Sequence, residues 1–288
     1  MSSASSPLHD ISDTALVTAL ARAQESERAD ALFHDPYARL LAGDRAEQIV
    51  RKLHGGKTTS WPIVVRTCII DEFVSHLIEH EQVDVVLNLA AGLDARPYRL
   101  SLSPSLNWIE VDLPELLSYK EQKLAQRVPK CILQRIPADL SNAQVWQELI
   151  ERVGQEGRAI LVLTEGLLVY LPTEQVKILA TDLHRYENIK WWVTDLTSPL
   201  ALKMIQGIWG KHLQAARAVL KFAPREGGCF FQPYGWDVVE SRSGLGEAHR
   251  LKREMFVQRV MRWVARIPLN GLREQVSFGE CVLLRNVV

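Results

Sequence analysis

Asp84-Val85-Val86-Leu87-Asn88-Leu89-Ala90-Ala91-Gly92-Leu93-Asp94-Ala95-Arg96 is the stretch on which the fold turns. Its first half, from Val83, is a short apolar run of the kind a strand buried on both faces requires. Its second half is a turn of small residues directly before a helix. Small side chains there let a ligand approach the backbone, and the helix N-terminus offers unpaired N–H groups. Taken alone, the turn fits an ordinary tight strand-to-helix connection equally well.

Working outward, the pattern repeats. Apolar runs recur at Trp108-Ile109-Glu110-Val111, Cys131-Ile132-Leu133, Ile160-Leu161-Val162-Leu163 and Trp191-Trp192-Val193. Helical segments separate them: Pro114 to Arg127, with Leu116, Leu117, Lys120 and Leu124 along one side, and Pro172 to Tyr186. Strands alternating with helices predict an α/β fold, a mostly parallel sheet wound by helices on both faces. Upstream the spacing is helical. Asp35-Pro36 reads as a helix start and Gly43 as its stop, and Thr67, Ile70, Val74, Leu77 and Ile78 mark a longer helix from Ile63.

After Asp195 the rhythm breaks. Ser198-Pro199 opens a helical stretch to about Phe222, Gly227-Gly228 reads as a flexible joint, and Gly235 to Val239 as a sixth strand. Ala248 to Ala265 reads as a helix and Phe278 to Leu284 as a seventh strand. The expected organisation is an N-terminal helical cap over 1–80, a ligand-binding core over 81–198, a helical cap insertion over 199–234, and the C-terminal part of the core sheet over 235–288.

Composition narrows the function. The 288 residues carry 34 Lys+Arg against 34 Asp+Glu, so the overall basic footprint of a nucleic-acid binder is absent. Hydrophobic residues make up 47%, enough for a sizeable core and against global disorder. No apolar run approaches the ~18 residues of a membrane span. Met1 to Asp10 is small and polar and reads as a frayed tail rather than a signal peptide, so a cytoplasmic protein is expected. Cys68, Cys131, Cys229 and Cys281 are far apart and form no CxxC pair; buried free thiols are expected. No metal site is expected from the scattered histidines.

Two acids sharpen the reading of the turn. Asp112 ends the second run, about 20 residues after the turn, where nucleotide-binding folds place an acid. A carboxylate there can accept both ribose hydroxyls of an adenosine; a helix cap before Pro114 is the ordinary alternative. Asp139-Leu140 follows the third run, where an acid at the sheet edge can meet an adenine amino group, although a solvated loop aspartate is the simpler reading in isolation. Glu165 ends an apolar run, so its carboxylate must face solvent, a ligand or a partner. Arg66 reads as a surface arginine by periodicity alone, with Ile69, Ile70 and Phe73 giving it one buried flank. A dinucleotide site calls for a fuller G-x-G-x-x-G than Gly92 alone provides, and no phosphate-binding G-x-x-x-x-G-K-[ST] is present.

Asn88-Leu89-Ala90-Ala91-Gly92-Leu93-Asp94-Ala95-Arg96-Pro97-Tyr98-Arg99-Leu100 resembles the signature turn of the leucine carboxyl methyltransferase family, which includes bacterial polyketide carboxyl O-methyltransferases. Ser12-Asp13-Thr14-Ala15 and Arg22 to Asp35-Pro36, with Glu25-Ser26-Glu27-Arg28, are similar to its N-terminal segment. Arg66-Thr67 with Asp71, Glu110-Val111-Asp112-Leu113-Pro114 with Lys120, Glu165-Gly166-Leu167-Leu168-Val169-Tyr170-Leu171, and Pro233-Tyr234-Gly235-Trp236 resemble further motifs, in the family's order and over most of the chain. The resemblance implies a Rossmann-like class I methyltransferase fold with S-adenosyl-L-methionine as methyl donor. It implies Arg66, Arg22 and the Gly92 turn, with Asp94, at the methionyl carboxylate; Asp112 and Leu113 at the ribose; Asp139 and Leu140 at the adenine; and Glu165 and Tyr170 near the methyl group and acceptor. The family carries glycine where this chain has Ala90, whose methyl narrows the pocket or alters the turn.

The implied reaction is an in-line displacement at the sulfonium methyl, in which the protein chiefly aligns the partners and excludes water. The expected acceptor is a small molecule, neither nucleic acid nor membrane, and a carboxylate giving a methyl ester. A carboxylate needs no base, whereas a hydroxyl would need one, with Glu165, His212 or His249 as candidates. Tyr170 with Lys203 or Arg217 would receive the carboxylate. Other readings are a hydroxyl O-methyltransferase, a nicotinamide-dependent oxidoreductase and a non-catalytic donor-binding protein. The oligomeric state is not legible.

Overall fold

Every residue of β1 (Val85–Leu89) and β4 (Ile160–Thr164) is buried, so neither strand has a solvent face and each must lie mid-sheet between helices. The computed structural model describes residues 12–54, 60–215, 218–255 and 279–287 and places them so. With β2 (Asn107–Asp112), β3 (Ile132–Pro137), β5 (Ile189–Leu196), β6 (Trp236–Ser243) and β7 (Glu280–Asn286) they form one sheet in the order β3-β2-β1-β4-β5-β7-β6. The first five strands pair in parallel, and β7 runs antiparallel between β5 and β6. The strand order reverses between β1 and β4, so a crevice opens beyond their carboxyl ends, where open α/β sheets bind ligands.

Alternate residues of β1 serve opposite faces. Val85, Leu87 and Leu89 join Trp146, Leu149 and Ile150 of α6 (Ala143–Val153) and Val176, Leu179 and Leu183 of α7 (Thr173–His184). Val86 joins Ile69, Ile70 and Phe73 of α3 (Trp61–His80) on the other face. A third cluster packs α1 (Ser12–Ser26), α2 (Ala38–His54), α4 (Arg96–Arg99) and α5 (Pro114–Leu124) through Leu16, Leu20, Leu41, Ile49, Tyr98 and Leu116, and Leu213 of α8 (Pro199–Ala215) joins it.

The departures from the predicted elements have local causes. Asp35 accepts the Tyr37 N–H at 3.1 Å, but the helix starts at Ala38, and Gly43 (φ 58°) kinks α2 instead of ending it. The helix from Pro199 ends at Ala215, well short of Phe222, whose N–H is turned to the Val169 carbonyl. Gly227-Gly228 is no flexible joint: it opens a 3-10 helix, Gly227–Tyr234, that buries Phe231 against Trp192. α9 (Gly244–Arg250) begins before the predicted Ala248; residues 256–265 of that expected helix, Phe278 and the N-terminal tail lie outside the described residues. Cys229 is exposed, contrary to expectation, while Cys68, Cys131 and Cys281 are buried. Burial pushes the Cys68 thiol up to about 12 and that of Cys131 to about 11, so both stay protonated near neutrality. Among the described residues, no helix is long and apolar enough to cross a membrane.

Glu110, a carboxylate in the middle of an apolar strand, is explained by its partners. Lys120 of α5 is fully buried and its Nζ lies 2.7 Å from Glu110 Oε1, while Arg135 of β3 donates to Oε2 at 2.9 Å. Removing the carboxylate would leave a buried ammonium facing no acceptor, a loss of about 3–5 kcal/mol. We expect Glu110→Ala to lower the unfolding free energy by that amount in urea titrations; a loss below about 1 kcal/mol would show that Lys120 finds water or another acid at no cost.

Candidate active site

The turn after β1 is built around two left-handed residues, Ala90 (φ 57°) and Gly92 (φ 49°). Glycine adopts this conformation freely, whereas an alanine held there costs roughly 1–2 kcal/mol. Backbone and carboxylate bonds hold the turn to β2: the Ala91 N–H donates to the Val111 carbonyl at 3.1 Å, and the Gly92 N–H to Asp112 Oδ2 at 2.6 Å. Asp112 Oδ1 accepts the Leu113 N–H at 2.7 Å. Asp112 is therefore not the cap of α5; it ties the β1 turn to the end of β2. Burial pushes its pKa above the ordinary aspartate value, against the opposing pull of those two N–H donors.

α1 lies over this turn. A Cβ on Gly92 would sit 3.6 Å from the Ala15 side chain. Arg22, buried in the same helix, donates Nη2 to the Leu93 carbonyl at 2.6 Å and Nε to Asp35 at 3.0 Å. Asp94 closes the turn, accepting from the Asn88 amide and from both the backbone and guanidinium of Arg96. Burial alone would raise its pKa, but Arg96, Lys120, Arg99 and Arg22 outweigh that and hold it near about 2.

The neighbouring strands add a second acid–base assembly. Glu165 directly follows β4, with Oε1 accepting Arg66 Nε at 3.0 Å and Oε2 accepting Arg96 Nη1 at 2.8 Å. Burial opposes its ionisation, yet the two guanidiniums keep its pKa below the ordinary glutamate value. Arg66, from α3, also donates Nη1 to Asp195 Oδ2 at 3.0 Å. Asp195, near the end of β5, takes the Gly166 N–H on its other oxygen at 2.6 Å. Gly166 has φ 68°, and a Cβ there would sit 3.4 Å from Arg66 Nη1, so the flat guanidinium lies against a bare backbone that only glycine supplies without strain.

Sequence reasoning thus named residues that the fold brings together. Ala90, Gly92 and Asp94 share the β1 turn, Asp112 bonds it from the end of β2 with Leu113 beside it, Arg22 holds it from α1, and Arg66 touches Glu165. Asp139 and Leu140 follow β3, joined to β2 by the Ala138 N–H donating to the Asp112 carbonyl at 2.9 Å. Leu140 is buried; Asp139 is exposed and accepts the Ser141 N–H. Tyr170, half-buried in a 3-10 turn (Leu168–Tyr170), hydrogen-bonds Thr14, and burial pushes its phenol up. Lys203 is exposed on α8, His249 is exposed beside Glu254, and Arg217 and the side chain of His212 lie outside the described residues. The histidines do include an i,i+4 pair, His76 and His80, whose rings lie 4.8 Å apart on α3; no group of three or more potential metal ligands occurs among the described residues.

Asp195 and the Asp71–Arg96–Arg99 cluster were not picked out as site residues. Asp195 carried the same signal as Glu165, a carboxylate at the carboxyl end of an apolar strand. Asp71 accepts Arg96 Nε at 2.7 Å and both terminal nitrogens of Arg99, pairings across 25 and 28 residues that no local spacing displays.

The family model for leucine carboxyl methyltransferase matches residues 15–184. A Frankia alni protein named "Putative S-adenosyl-L-methionine-dependent methyltransferase" is 35% identical over 257 residues, spanning 80% of this chain and 84% of its own length. A protein of the same description from Parafrankia sp. is 34% identical over 221 residues, spanning 72% and 67%. A solved "putative methyltransferase from Thermobifida fusca YX" shares the fold, with a TM-score of 0.60 at 14% identity over 98% of this chain and 96% of its own. The nicotinamide-dependent reading of the turn is thereby set aside. The chain belongs to the leucine carboxyl methyltransferase family and is an S-adenosylmethionine-dependent methyltransferase.

Proposed function

We propose that the chain methylates a carboxylate oxygen of a small acceptor, giving a methyl ester. The observation that carries this reading is the state of Glu165: both its oxygens accept from arginines and its pKa is held low, so it is not disposed to take a proton from a hydroxyl. Tyr170, with its phenol pushed up by burial, stays protonated and has no phenolate to offer as a base. A carboxylate acceptor needs neither, being ionised and nucleophilic already.

The residues fit the methyl donor by charge and by unused bonding capacity. Among the described residues Arg66 Nη2 makes no hydrogen bond, leaving its N–H groups for the methionyl carboxylate. Each Asp112 oxygen accepts one N–H and keeps a further lone pair for a ribose hydroxyl. The Ala90–Gly92 backbone would lie along the methionyl portion, with Arg22 acting on it through Leu93, and Leu113, Asp139 and Leu140 would border the adenosine. The bound donor supplies the electrophilic sulfonium methyl. The chain's share is alignment: the acceptor oxygen is held in line with the S–CH₃ bond, the O–CH₃ bond forms as that bond breaks, and its electron pair returns to sulfur. α1, α8 and residues 218–222 would cover the crevice, with Ala15 over Gly92 and the Lys221 backbone N–H donating to the Val169 carbonyl at 2.7 Å supporting that placement.

Calorimetry with S-adenosylhomocysteine should give one site per chain, undiminished by EDTA. Asp112→Ala should weaken that binding by about 1–3 kcal/mol; unchanged affinity in a folded variant would put the ribose elsewhere.

Ala90→Gly removes a strained left-handed alanine while adding unfolded-state freedom worth about 0.4–1 kcal/mol. The relief is at least as large as the cost, so the fold should persist with donor affinity undiminished. A clear loss of affinity would mean that the Ala90 methyl is part of the pocket wall.

The acceptor atom is read directly from the product. With labelled methyl donor and a panel of small carboxylic acids and phenols, label should be released as methanol in mild alkali. Label retained through that treatment would mean an ether, a hydroxyl acceptor and a base yet to be found.

A further inference from the structure

We propose that Asp195 is a positioning residue for the methyl donor, acting through Arg66 to aim the Nη2 amino group at the donor's carboxylate; the proposal rests on the reading of Arg66 given above. Three elements meet at this carboxylate. Its Oδ2 accepts Arg66 Nη1 from α3 at 3.0 Å, and its Oδ1 accepts the Gly166 N–H at the end of β4 at 2.6 Å. Arg66 Nε is taken by Glu165 at 3.0 Å, so the fork is held at two of its three nitrogens, and among the described residues Nη2 makes no hydrogen bond. Gly166 backs the guanidinium plane, with the place of an absent Cβ 3.4 Å from Nη1 and 3.8 Å from Nη2.

The two carboxylates are not equivalent. Glu165 is shared with Arg96, whose guanidinium also binds Asp71 and Asp94, so its oxygens are divided between donor-side and core-side arginines. Among the described residues the Asp195 carboxylate bonds Arg66 and the Gly166 backbone and nothing else. A planar guanidinium gripped at Nε alone can still swing about that bond; gripped at Nε and Nη1 it is fixed in plane, and the direction of Nη2 is fixed with it. The asymmetry assigns direction to Asp195 and charge balance to Glu165.

The test separates positioning from general stability by using two ligands that differ in the group Arg66 would meet. S-adenosylhomocysteine carries the amino-acid carboxylate; 5′-methylthioadenosine keeps the adenosine and sulfur and lacks it. Asp195→Asn retains the shape and an oxygen for Gly166 but loses the charge that holds Arg66. We expect it to weaken S-adenosylhomocysteine about tenfold and to leave 5′-methylthioadenosine within about twofold. In Arg66→Ala the same ligand pair should separate at least as far, and adding Asp195→Asn to it should weaken binding no further, because the two residues act as one unit.

Equal weakening of both ligands in Asp195→Asn, or additive losses in the double variant, would overturn the proposal and leave Asp195 a structural residue. Loss in Arg66→Ala with none in Asp195→Asn would also overturn it while sparing the reading of Arg66. No selective loss in Arg66→Ala would instead fault that reading itself. Should Asp195→Asn not fold, Asp195→Ser, which keeps a hydroxyl oxygen for Gly166, enters the same titrations under the same criteria.

Discussion

The site depends on a chain of buried and half-buried ions that crosses the molecule beneath the β1 turn. Arg22 meets Asp35; Arg99 approaches Asp35 at 3.8 Å and binds Asp71; Arg96 binds Asp71, Asp94 and Glu165; Arg66 binds Glu165 and Asp195. Charges alternate along the whole run. Arg96, with 2% of its surface exposed, would be untenable with one acid and is accommodated by three. Ions this deep contribute little net stability against an apolar core of equal volume, because each has been taken out of water. They contribute geometry. Each member orients its neighbours, so α1, α3, α4 and the ends of β4 and β5 are held in one mutual arrangement.

That constraint explains why the turn after β1 can carry strain. Ala90 sits in a left-handed conformation that a turn free in solvent would leave, yet the residues around it are fixed from several sides. Asp112 holds Gly92, Arg22 holds Leu93, and Arg96 holds Asp94. Three consecutive residues are pinned by side chains from three different elements, so the backbone cannot relax at one position without breaking charged hydrogen bonds at the next.

The sequence displayed the sheet well and the ion chain poorly, for one physical reason. A buried strand is a local property: a short, mostly apolar run announces it, which is why β1, β2, β4 and β5 were legible. β3 was less so, being an edge strand with alternating exposure, of which only the first part looked apolar. An ion pair is a relation between distant residues. Arg66 lies 99 positions from Glu165 and 129 from Asp195, and neither distance follows from periodicity. What sequence supplied was each carboxylate's anomaly at the end of an apolar run, recognised at Asp112 and Glu165 and passed over at Asp195. Beyond Asp195 the boundaries drifted because helix spacing continues past Ala215 in the sequence, while the chain in space turns back to bond the Val169 carbonyl.

The two sides of the crevice differ in the kind of force that shapes them, and this bears on what each can do. Around the β1 turn the contacts are directional and charged, and a shift of one ångström breaks several at once. Around Tyr170 they are apolar: Val169, Tyr170, Leu202 and Ile205 pack with Leu213, Ala218 and Leu220. Dispersion contacts have shallow angular dependence, and such a wall can change shape by exchanging side chains of similar volume without leaving a charge unpaired. An ionic wall of this kind holds a single geometry, whereas the apolar wall can be repacked, and Arg66, bound to both Glu165 and Asp195, belongs to the first.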